Sequence, residues 1–399
     1  MSETGFPKLW TNPHGSQTEV RACPHRIVAL EPARITECLL ALGIVPVGSS
    51  TYEDLRTPQR GQWPTALHGH VPGGVVDVGW HHEPPDVERI RAVNPDLILA
   101  LGGDDDRRGE ERWLRESPLS DVAPTILLPD RRSEDDRPAF IERLRALAWL
   151  TDRQERAETL LDGYEARRDV LHPLVAGETF AAVWFRGGKV AIYTRRHTSQ
   201  VFTDLGITLE EPPGEPVWPS DTHPRARFIG YAGLTALRSP TFVFTPRYVD
   251  ATAIAGFLSD PRWAQHPTVA AGNALFLGWP LLTSGYFSSH AQLDAVERLL
   301  GITALAARVG PTVIRVGTRA SRGLVSWSVQ GPALDCDVWL GSRDDRRIIL
   351  DTGKRSGQCT LAGGRAAGAL HHCRLWVANR DGLHDYLLVP DSVELALQS

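Results

Sequence analysis

Two stretches of alternating strand and helix patterns, separated by one long run of helical spacing, constrain this chain more than any other feature. The first opens with "RIVAL" (26–30), a short buried strand, then the helix pattern "ARITECLLALG" (33–43) closed by Gly43, then the strand "IVPVGSS". A helix at 85–93, the strand "DLILAL" (96–101), a helix around Glu110 to Arg115 and the strand "PTILLP" (124–129) follow. Strands alternating with helices predict a parallel sheet covered on both faces. Residues 136–172 then carry apolar residues at helical spacing, with a break near Thr151 and Asp152 that starts a second helix. The alternation restarts with the strands "TFAAVWF" (179–185) and "KVAIYT" (189–194) and the helices "SQVFTDLG" (199–206) and "YAGLTALR" (231–238). It ends with the strand "TFVFTP" (241–246), a helix near 251–258, the strand "ALFLG" (274–278) and a helix from about Ser289 to Leu300.

Beyond residue 310 the texture changes to turn-separated, β-branched and aromatic segments such as "TVIRVG", "GLVSWSVQG" and "CRLWVAN", the spacing of a small antiparallel sandwich. The expected organisation is an N-terminal extension (1–25), an α/β lobe (26–135), a helical connector (136–175), a second α/β lobe (176–301) and a β-sandwich-like domain (312–399). A chain of 399 residues that is 42% hydrophobic has material for more than one core. A formal net charge of -5 argues against a nucleic-acid partner. The first residues carry no basic segment followed by an apolar run, and no stretch suits membrane insertion, so a cytoplasmic location is expected. Five scattered cysteines read as reduced thiols.

Particular segments resemble a known family. "RIVALEPARITECLLALGIVPVG" resembles the opening strand-helix-strand of the helical-backbone (class III) substrate-binding proteins, which serve ferric-siderophore, haem, cobalamin and metal ABC importers. "DVGWHHEPPDVERIRAVNPDLIL" is similar to the hydroxamate and citrate siderophore binders, "LAWLTDRQERAETLLDGYEARRDVL" to their connector, and "SDPRWAQHPTVAAGNALFLGW" to their closing segment. The resemblance spans roughly residues 26 to 301 and none of the last hundred. It implies two doubly wound α/β lobes joined by a long helical connector, with an anionic ferric siderophore held between the lobes.

In parallel α/β sheets ligands sit beyond the carboxyl ends of the strands. Trp80, His81 and His82 follow one such end. Related siderophore binders commonly carry an Arg at the position of His81, and a histidine near its ordinary pKa is mostly neutral at neutral pH, which weakens attraction for an anion. Arg186, Tyr193, Arg195, Arg196, Trp218, Arg247, Tyr248, Trp279 and Tyr286 follow strands of the second lobe or stand in its loops. Guanidinium forks bind carboxylate or hydroxamate oxygens, while Trp and Tyr pack on apolar chelate arms. Iron is expected only as part of such a chelate, with no directly bound cofactor.

The acidic run "GGDDDRRGEER" (102–112) reads as a solvated helix start. Cys336, Cys359, His371, His372 and Cys373 lack the close ligand pairs of a structural zinc site, so no metal site is expected. Glu88 matches the first of two acidic side chains with which the family docks on an ABC permease, and Gly233 stands where the second should be. The missing leader, the missing acid and the added β domain open a second reading. That reading is a cytoplasmic enzyme of specialised metabolism in which His81, His82 or His197 acts as acid or base. The chain has no Gly-x-Ser-x-Gly elbow, Walker pattern or dinucleotide fingerprint. A third reading is a ligand-sensing scaffold whose β domain contacts a partner.

Overall fold

The structure, a computed structural model, describes residues 5–13, 15–51, 73–80, 84–102, 118–129, 138–186, 189–193, 200–216, 226–246, 251–276, 285–309, 312–319, 324–331, 337–342, 345–350, 356–360, 374–379, 382–387 and 389–390. The chain forms two compact units. One comprises Met1–Leu160, Thr179–Thr203 and Leu209–Gln292; the other comprises Leu161–Glu178, Asp204–Thr208 and Leu293–Ser399.

The first unit contains the first α/β lobe and most of the second. It opens with a hairpin, β1 (Lys8–Thr11) and β2 (Gln17–Val20). The first lobe follows with β3 (Ile27–Ala29), α1 (Thr36–Ala41), β4 (Gly48–Thr51), β5 (Val76–Trp80), α2 (Val87–Ala92), β6 (Leu97–Gly102) and β7 (Thr125–Pro129). Its sheet is wholly parallel, in the order β5-β4-β3-β6-β7. β6 is buried at every position, as a strand with helices on both faces must be. Asp86 caps α2 by accepting from the Arg89 amide. The helix expected around Glu110 to Arg115 and the acidic run beyond Gly102 lie outside the described residues.

The connector is α3 (Phe140–Leu150) and α4 (Gln154–Val175). Asp152, in the left-handed region at φ 54, turns the chain between them.

The second lobe has β8 (Thr179–Arg186), β9 (Lys189–Tyr193), α5 (Gln200–Asp204), β10 (Thr208–Leu209), β11 (Glu215–Pro216), β12 (Ala226–Phe228) and α6 (Gly230–Ala236). β13 (Thr241–Pro246), α7 (Ala251–Ser259), α8 (Pro261–Ala264), α9 (Pro267–Ala270), β14 (Ala274–Phe276) and α10 (Tyr286–Leu299) complete it. Here the sheet is mixed rather than parallel throughout. β8, β13 and β14 run parallel, whereas β9 is antiparallel to β8 and β12 to β9. Residues 187 and 188 alone join β8 to β9, and two residues can make a hairpin but not a crossover.

In the second unit, antiparallel strands form two sheets. One is β20 (Ser356–Thr360), β17 (Leu324–Gln330), β16 (Thr312–Arg319), β15 (Ile302–Val309) and β23 (Val389–Pro390), in that order. The other is β19 (Asp345–Leu350), β18 (Asp337–Ser342), β21 (Arg374–Asn379) and β22 (Gly382–Leu387). Gly317 of β16 lies against Val170 and Leu174 of α4, and Ser326 on the paired position of β17 donates to the Val170 carbonyl. Ile314, Val316, Val325, Trp327 and Val329 are buried as well. Cys359 is on β20 opposite Val325; Cys336, His371, His372 and Cys373 lie outside the described residues.

Candidate ligand-binding site

The order of the first sheet fixes where a ligand can sit. The chain passes from β3 to β4 and β5 on one side and returns to β6 on the other, so the strand order reverses between β3 and β6. A crevice opens at such a reversal, beyond the carboxyl ends. β5 delivers Trp80 at its last position, beside Thr51 at the end of β4. The register slips between Ser49 and Thr51, and the strand carries Gly79 at φ 122. Asp77 holds this irregularity by accepting from the Gly79 amide at 2.9 Å and the Thr51 hydroxyl at 3.3 Å. Bulges of this kind re-aim a strand end. His81 and His82 follow directly and lie outside the described residues, as does His197.

In the second lobe Arg186 is the last residue of β8. Arg247 and Tyr248 follow the end of β13, Trp279 follows β14, and Trp218 lies between β11 and β12; these four, with Arg195 and Arg196, are outside the described residues. Grouping by strand ends does not hold for Tyr193. Because β9 runs antiparallel, Tyr193 pairs with Ala182, and Arg186 pairs with Lys189. Four residue steps along a strand separate them by about 13 Å. The Tyr193 ring is buried and stacks on Trp184 at 5.0 Å. Tyr286 does not stand in a loop either: it begins α10, three residues before the expected start, and packs edge-on to Phe140 at 6.1 Å. Both tyrosines are packing residues of the scaffold.

Sequence reasoning missed the charged joint between the lobes. Glu37 on α1 is fully buried, as are Cys38 beside it and Arg143 on α3. The Glu37 carboxylate oxygens accept from the Ser288 amide at 2.8 Å and from the Ser288 hydroxyl, in the first turn of α10. Helix starts leave amides unpaired, and here the cap comes from another lobe. A Cβ on Gly285 would stand 2.2 Å from Glu37 Oε2 and 2.3 Å from the Ala33 carbonyl, so only glycine allows the approach. Burial pushes the Glu37 carboxyl up to about 8, helped by the nearby Glu31 charge and opposed by the Ser288 hydrogen bonds and by Arg143. The available signal was a carboxylate inside "ITECLLA", a helix buried at five of its six positions.

Glu88 is exposed on α2 and pairs with Arg91 at 2.5 Å. Gly233 lies within α6, where a Cβ would meet the Ile229 side chain at 2.5 Å. Among the described residues no group of three or more His, Cys, Asp and Glu could hold a metal ion, and no helix is long and apolar enough to cross a membrane.

No protein-family model matches the sequence, and no curated protein matches it. Solved structures do. Staphylococcus aureus SirA complexed with staphyloferrin B is 18% identical, with a TM-score of 0.55 over 74% of this chain and 98% of SirA. Streptococcus pneumoniae PiuA, an iron-uptake ABC transporter substrate-binding protein, is 20% identical, with a TM-score of 0.58 over 74% of this chain and all of PiuA, 100%. The periplasmic catecholate-siderophore binding protein VctP of Vibrio cholerae is 16% identical, with a TM-score of 0.56 over 73% of this chain and 100% of VctP.

These likenesses overturn the cytoplasmic location expected above, since VctP, which shares the architecture, is periplasmic. A leader is not part of the folded lobes, so the first residues carry no weight about where a protein of this fold works. In chain order, the strands β3–β7 and β8–β14 stand before and after the helical connector, and about a quarter of the chain lies outside the part these structures match. The chain therefore has the fold of the class III, helical-backbone substrate-binding proteins, extended by a C-terminal β domain.

Proposed function

We propose that the chain binds a ferric siderophore or similar anionic metal chelate between its two α/β lobes. Trp80, His81 and His82 would contribute from the first lobe, and Arg186, Trp218, Arg247, Tyr248 and Trp279 from the second, with Arg195 and Arg196 part of the same basic set. Tyr193 and Tyr286, first candidates for the same surface, are buried packing residues and are left out of it. The observation that carries the reading is positional: Trp80 and Arg186 end parallel strands in each lobe of a fold whose solved relatives include ferric-siderophore binders. Arginines answer the charge of the chelate and the aromatic rings its apolar arms. Iron then arrives as part of the ligand, not as a resident cofactor. Glu88, exposed on α2, is the docking acid for an ABC permease in this reading. No observation favours acid-base chemistry by His81, His82 or His197.

The test is native mass spectrometry and equilibrium titration of the full chain with ferric hydroxamates, ferric catecholates and ferric citrate. One retained chelate per chain is expected. If no chelate binds below about millimolar, where binding is worth only roughly 4 kcal/mol, the reading is wrong.

A further inference from the structure

We propose that Glu37 is a proton-sensitive latch between the lobes, which holds the start of α10 against α1. Three observations meet at one place. The Glu37 side chain crosses from α1 to cap the first turn of α10 through both donors of Ser288. Gly285, directly before that helix, is pressed against Glu37 and the Ala33 carbonyl with no room for a side chain. Tyr286, next in the chain, is seated on Phe140 of α3. The contact therefore joins α1, which follows β3 where the first sheet reverses, to the start of α10.

The groups around Glu37 act in opposite directions. On the chain before α1, the nearby Glu31 charge disfavours its ionisation. The Cys38 thiol on α1 is itself pushed up to about 12 by burial and remains neutral. Arg143 on α3 and the Ser288 donors on α10 favour the carboxylate, and buried His290 on α10 packs on Tyr286 at 4.6 Å. Burial is the largest influence, and it holds the carboxyl at about 8 against an ordinary value of 4.5. The latched state therefore keeps a proton that a hydrated, released Glu37 loses. Between those two values each rise of one pH unit weakens the latched state by up to about tenfold. The latch is firmest below the ordinary value and weakest above the raised one.

The experiment compares amide hydrogen exchange at Ser288 and Ser289 from pH 5 to 8 in the full chain and in Glu37→Gln. Glutamine keeps the size and an acceptor for the Ser288 amide but does not titrate. After division by ordinary base-catalysed exchange, opening should rise with pH in the wild type by up to about tenfold per unit and stay flat in Glu37→Gln. Equal slopes would overturn the latch. Should Glu37→Gln not fold, Ser288→Ala, followed from pH 5 to 9, removes a donor that favours the carboxylate, so the rise should continue past the pH at which the wild type levels off; an unmoved plateau would equally overturn it.

Discussion

The chain carries additions at both ends, the β1–β2 hairpin at its start and the β domain at its close, and each is fastened by polar side chains donating to backbone carbonyls. The partners differ. The hairpin lies along β7, an edge strand with free carbonyls: Trp10 Nε1 donates to the Leu127 carbonyl at 3.1 Å and the Thr18 hydroxyl to the Thr125 carbonyl at 3.0 Å. In return, Asn12 accepts from the Leu127 amide at 2.8 Å. Lys8, buried under Phe6 and Trp149, reaches the Trp149 carbonyl and Asp152. The β domain is fastened to a helix instead. Arg319 donates to the Leu174 carbonyl in the last turn of α4, where no intrahelical partner exists, and pairs with Glu178 at 2.6 Å. Side by side, the two attachments teach that edge docking spreads over bonds along a strand together with a buried lysine, whereas helix docking gathers Arg319, Ser326 and Gly317 on the last turns of one helix.

That contrast can be broken most sharply at Arg319. Arg319→Ala removes the Arg319 ion pair from the buried Glu178 carboxylate and the Arg319 donor from the Leu174 carbonyl. A loss of about 3–5 kcal/mol is expected, read in urea unfolding followed by Trp327 fluorescence. A loss under about 1 kcal/mol would mean the charge is dispensable. Next is Gly317→Ala, whose Cβ would stand 2.4 Å from Val170 and 2.9 Å from Leu174. Overpacking of this kind costs about 1–3 kcal/mol in the same assay. The smallest effect belongs to the hairpin. Trp10→Phe removes a single hydrogen bond and should cost about 1 kcal/mol, seen as faster local exchange in β1 and β2 with little change in the main transition. If Trp10→Phe instead matched Arg319→Ala, the two attachments would be equivalent.

Much of the scaffold was legible because burial writes itself into sequence period. After Asp96, "LILAL" is apolar throughout since β6 is covered on both faces, and the texture change after residue 310 marks strands with alternating sides. The antiparallel turn of β9 was legible in the two-residue connection, a length signal that the repeating texture concealed. The start of α10 was not legible. Its cap is Glu37, some 250 residues away, so nothing beside Tyr286 announces a helix. Lys8 was equally hidden within a polar, proline-bearing stretch, because its partners Trp149 and Asp152 come from the connector. The candidate ligand residues were read from strand ends, a rule that presumes parallel strands and misplaces Tyr193, whose strand runs antiparallel.

α4 begins in one compact unit and ends in the other, with Leu161–Val175 supplying the surface on which β16 and β17 rest. Such a helix cannot be inherited by halves. A gene truncated before residue 302 would keep every residue of the connector and yet leave Val170 and Leu174 bare, while the β domain expressed alone would lack the floor it stands on. For anyone trading this domain between relatives, the smallest exchangeable piece is therefore the pair, helix and sheet together.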